Sequence, residues 1–76
     1  MYDEFDVVKL RHEVSSETRD FWPGIGGDRI PEGSVGAIVA VYGTQTSNIA
    51  YEVEFVAEDG TTYGLVTLKD SDIVPA

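Results

Sequence analysis

The sequence predicts a small all-β domain: five short antiparallel strands closing into a barrel, with one long insertion after the first strand. Three observations carry that expectation. Ile49, Tyr51, Val53 and Phe55 alternate with Ala50, Glu52, Glu54 and Val56, the period-two pattern of a half-buried strand. The Asp59-Gly60 pair that follows supplies the positive φ values of a tight hairpin turn, so the next strand returns antiparallel. No segment sustains the 3.6-residue period of an amphipathic helix.

The elements follow in order along 76 residues, a length that fits one domain over residues 1–76. Glu4–Leu10 is the first strand. Residues 14–29 form an irregular insertion. Ile30-Pro31-Glu32-Gly33 reads as a turn, and Ser34–Tyr42 as a continuous apolar strand, central or strongly bent, with Gly36 and Ala37 permitting close packing. The alternating strand at 49–56 and its partner at 61–68 follow, Gly64 marking a bulge or a close approach. Lys69-Asp70-Ser71-Asp72 is a single tight turn into the last strand, Ile73–Pro75. A barrel disposes of the edges that would make so β-rich a chain aggregate, whereas an open meander leaves the first strand unprotected.

Fourteen acidic residues against five basic ones give a net charge of −9, which opposes any grip on nucleic acid or anionic lipid through phosphates. Without cysteine there is no disulfide and no thiolate chemistry. The acidic start, Tyr2-Asp3-Glu4-Phe5-Asp6, differs from the basic start of a secretory signal, and no apolar run approaches the ~18 residues that span a bilayer. The expected location is the cytoplasm.

The stretch from Phe5 to Leu10, Ile30-Pro31-Glu32-Gly33-Ser34-Val35-Gly36-Ala37-Ile38-Val39, Tyr51-Glu52-Val53-Glu54-Phe55, Asp59-Gly60 and the stretch from Leu68 to Pro75 resemble a family of small bacterial proteins known as domain of unknown function 4926. The glycine-containing strand Gly33–Val39 is more distantly similar to that of SH3-like barrels of the KOW type. The resemblance implies an SH3-like barrel and no established activity. The insertion with Phe21-Trp22-Pro23 departs from the family pattern, so a function particular to this chain is expected there.

The residues that could carry catalysis or bind a metal or cofactor have plainer readings. Glu52 and Glu54 lie on one strand face roughly 7 Å apart, close enough for an inverting glycosidase pair, but read as a solvated acidic face. Asp70-Ser71-Asp72 starts like a calcium loop and then lacks the later ligands. His12, Ser15, Ser16 and Asp20 have the composition of a hydrolytic triad without a scaffold to fix it. Gly24-Ile25-Gly26-Gly27 lacks the lysine and the helix of a phosphate loop and reads as a flexible turn. No catalytic residue, metal or cofactor is expected.

The expectation is a non-enzymatic module that binds another protein, an acidic inhibitor or antitoxin-like partner of a basic protein, through Phe21, Trp22, Glu52 and Glu54. Trp22 either lids one end of the barrel or anchors the interface. The alternatives are a small-molecule or peptide-binding module using Tyr2, Tyr42, Tyr51 and Tyr63 in a surface groove, and an accessory domain of a neighbouring enzyme.

Overall fold

A computed structural model describes residues 2–44 and 47–76. Among these the chain forms β1 (Val7–Leu10), β2 (Val14–Ser15), β3 (Asp20–Phe21), β4 (Arg29–Ile30), β5 (Val35–Thr44), β6 (Ser47–Val56), β7 (Thr62–Lys69) and β8 (Ile73–Pro75), with a 3-10 turn at Asp70–Asp72. Six strands make one antiparallel sheet in the order β3-β7-β6-β5-β1-β8, and β2 and β4 make a separate two-stranded ribbon.

That order requires the sheet to roll up. β7 and β8 stand four places apart in it, about 19 Å in a flat sheet at ~4.8 Å per strand. The 3-10 turn that joins them reaches only about 8 Å, at roughly 2 Å per residue. The all-β, barrel-like architecture is therefore the one expected from the sequence.

The five expected strands are all present, and the inner faces agree with the alternation. Val8, Leu10, Ile38, Tyr51, Val53, Phe55, Val66, Leu68 and Ile73 fill the interior, joined by Val14 and Ile30 from the ribbon. β5 lies inside the sheet and is bent as expected, with a register irregularity between Ile38 and Ala40. The extra residue there reverses the alternation, leaving Val39 exposed and turning Val41 toward the core. The apolar run is not covered on both faces, since Tyr42 is also exposed. Gly36 allows close packing as predicted, since a Cβ there would lie 2.8 Å from the Glu54 carbonyl oxygen. Gly64 serves in both senses anticipated: Ile30 occupies the space its Cβ would need, and the β6–β7 register shifts beside it.

Two expectations need correction. The first strand starts at Val7, because Phe5 adopts a left-handed conformation, φ 72°, that breaks an extended run. Residues 14–29 were expected to be irregular, but they contain β2, β3 and the first residue of β4, whose second residue, Ile30, was expected in a turn: β2 pairs with β4, and β3 adds to the edge of β7. These pairings hold the insertion against the barrel.

Candidate functional site

The insertion brings the aromatic pair onto the sheet. Asp20 lies opposite Thr67 and Phe21 opposite Val66, and the next amide, Trp22 N–H, donates to the Leu65 carbonyl at 2.9 Å. Neighbours on a strand point to opposite faces, so the pair divides. Phe21 turns inward and packs on the core, while Trp22 lies on the outer face and remains 50% exposed. Trp22 therefore does not lid the barrel, and the residue buried from this dipeptide is Phe21.

Glu52 and Glu54 project outward as the alternation predicts, but they are not a solvated acidic face. Glu52 is only 5% exposed. Its Oε2 accepts from the Trp22 indole Nε1–H at 2.6 Å, and its Oε1 accepts from the Thr67 hydroxyl on β7. Glu54 is half-buried and accepts from the Thr62 hydroxyl at 3.1 Å. Among the described residues neither carboxylate has a salt-bridge partner. Periodicity gave the direction of these side chains. It could not show that a tryptophan thirty positions earlier would cover one of them.

Beside the indole runs a groove of about 280 Å³, lined by Asp20, Phe21, Trp22, Pro23 and Thr67. A second depression, of about 470 Å³, is formed by Trp22 and Pro23 with Gly24–Asp28. The glycine run there is not a free turn. Gly26, at φ 65°, abuts the Tyr63 backbone so closely that a Cβ would overlap its carbonyl oxygen.

A second polar cluster fixes the insertion just before the aromatic pair. Asp72, 1% exposed, accepts a two-pronged interaction from Arg19, Nη2 to Oδ1 at 2.6 Å and Nε to Oδ2 at 2.8 Å. The Lys69 N–H adds a bond to Oδ2 at 2.8 Å, and His12 Nε2 lies 2.9 Å from Oδ1. Burial alone would push the Asp72 carboxyl up, but the Arg19 guanidinium, the Lys69 amide and His12 outweigh it and hold the carboxyl below the usual carboxylate range. The tight turn expected before the last strand is thus the 3-10 turn, and Asp72 within it is a buried structural clasp. His12 is partnered by Asp72, sixty positions away, and not by the Asp20 of the triad composition. Among the described residues no group of three or more His, Asp or Glu side chains is placed to hold a metal ion.

The tyrosines do not share a surface groove. Tyr51 is fully buried, Tyr2 and Tyr63 pack on the core, and Tyr42 is exposed on β5.

The family model for the domain of unknown function DUF4926 matches residues 4–75. The chain belongs to the DUF4926 family. The matched range runs through the insertion, so Trp22 and its groove lie inside the DUF4926 domain. No curated protein and no solved structure matches the chain. No helix among the described residues is long and apolar enough to cross a membrane.

Proposed function

We propose that this DUF4926 domain is a non-enzymatic, cytoplasmic binding module whose partner is a basic protein, in the manner of an acidic inhibitor or antitoxin. The observation that carries this reading is the charge left over after folding. The chain has a net charge of −9, and the ion pairs among the described residues occupy only two of its carboxylates, Asp72 and Glu13. Asp3, Glu4, Asp6, Glu17, Asp20, Asp28, Glu32, Glu58, Asp59 and Asp70 remain exposed, none of them in a salt bridge to a described residue. Such a surface steers a cationic partner into encounter and repels nucleic acid. The strand order and the 3-10 turn before β8 support the further reading of an SH3-like barrel of the KOW type.

The test is affinity capture from the native host followed by titration calorimetry of the purified partner. A basic partner is expected, with affinity falling at least tenfold as salt rises through the range where the Debye length shrinks below about 10 Å. An acidic or neutral partner bound with salt-independent affinity would refute the reading.

A further inference from the structure

The outer sheet face around Trp22 is more specific than general acidity. The indole is held at two points, by its backbone N–H on Leu65 and by its ring N–H on Glu52, so its exposed half is a platform already set in place. Behind it sits Glu52, which among the described residues accepts at both oxygens from neutral groups only. Asp20, two residues before Trp22, shares its outward direction on the β3 line, and Glu54 shares that of Glu52 on β6. An aromatic face backed and flanked by carboxylates attracts a cation, and a flat one above all, because a planar guanidinium can stack on the ring while its fork of donors reaches the acids.

We propose that the groove beside Trp22 seats an arginine side chain of the partner, its guanidinium stacked on the indole and hydrogen-bonded to Asp20, the carboxylate that lines the groove. This deepens the reading of a basic partner and rests on it. The groove of about 280 Å³ between Asp20, Trp22, Pro23 and Thr67 receives the aliphatic stem.

Because Trp22 is the sole tryptophan, its indole N–H resonance and its fluorescence report on this groove without interference. The probe is a capped Gly-Arg-Arg-Gly peptide, with Gly-Lys-Lys-Gly as its counterpart. The arginine peptide is expected to move the indole resonance saturably and to bind at least threefold tighter than the lysine peptide. Asp20→Asn should weaken it about fivefold, and Trp22→Ala about tenfold when followed through the Thr67 amide. Asp20→Asn, at an exposed position, decides the matter if Trp22→Ala fails to fold. An unmoved indole, equal response to both peptides, or undiminished binding by Asp20→Asn overturns the proposal. A natural basic partner that binds with salt dependence, yet equally to wild type and to Asp20→Asn, overturns the groove alone. Absence of any salt-dependent basic partner overturns the broader reading as well.

Discussion

Replacing Asp72 by asparagine tests whether the clasp holds the insertion and the 3-10 turn together. The two carboxylate oxygens face Arg19 Nη2 and His12 Nε2 on one side, and Arg19 Nε and the Lys69 N–H on the other. Either orientation of an asparagine therefore turns its NH₂ toward one guanidinium nitrogen and one further polar group. At least one charge-assisted bond is lost outright, at about 1.5–3 kcal/mol, and the remaining bonds weaken as the charge disappears. Some of that is returned because a neutral amide costs less to bury than a carboxylate. A net loss of about 3 kcal/mol follows, a large part of the roughly 4–11 kcal/mol expected of a chain this size. Domains of this length lose about 4–8 °C of Tm per kcal/mol, so melting by circular dichroism should fall by about 15–20 °C at neutral pH. The pH dependence gives an independent reading. The Asp72 carboxyl in the folded state lies below its ordinary 3.8, so its contribution is present above that value and lost as pH falls through the folded-state value. The gap between wild type and Asp72→Asn should therefore narrow in strong acid. A variant melting within about 4 °C of wild type at pH 7, or a gap that stays constant into strong acid, would refute the reasoning.

Gly26→Ala should cost more than 2 kcal/mol in urea denaturation, because a Cβ there collides with the Tyr63 backbone and the position also has positive φ; a change under about 0.5 kcal/mol would show that the insertion does not dock on β7 as described. Phe5→Gly should run against the usual effect of glycine, leaving stability unchanged or raising it by up to about 1 kcal/mol. The Phe5 side chain is 78% exposed and its backbone is left-handed, a conformation that costs a non-glycine residue about 1–2 kcal/mol. A loss above about 1 kcal/mol in the same assay would mean that the ring contributes packing that its exposure hides.

Local pattern gave the barrel its walls. Alternation at 49–56, the Asp-Gly turn and the apolar run before it place β5, β6 and β7 correctly, because each depends on neighbours close in sequence. The site was legible in part. Trp22 and the direction of Glu52 and Glu54 could be read, but the burial of Glu52 depends on β3 pairing with β7, a contact that two-residue strands do not announce. The clasp escaped for the same reason: His12 and Arg19 meet Asp72 across most of the chain, and nothing in a single sequence links them. A tryptophan within a polar, glycine-rich insertion was the signal available, and it left open whether Trp22 would lid the barrel or stand on its surface.

The pairing of β1 with β8 sets Val8 against Pro75, bringing opposite ends of the sequence side by side. During synthesis on the ribosome β1 is made early and must wait for residues 73–75 before that flank is covered. Until then the row of N–H and C=O groups along β1 is open to any other nascent strand. The Arg11 amide bonded to the Asp72 carbonyl at 2.9 Å, together with the Arg19 fork, fastens the late-made segment as soon as it arrives. Mutations in this clasp should therefore lower the yield of soluble protein in cells more than purified stability alone predicts, since they prolong the interval in which the chain is still unclosed.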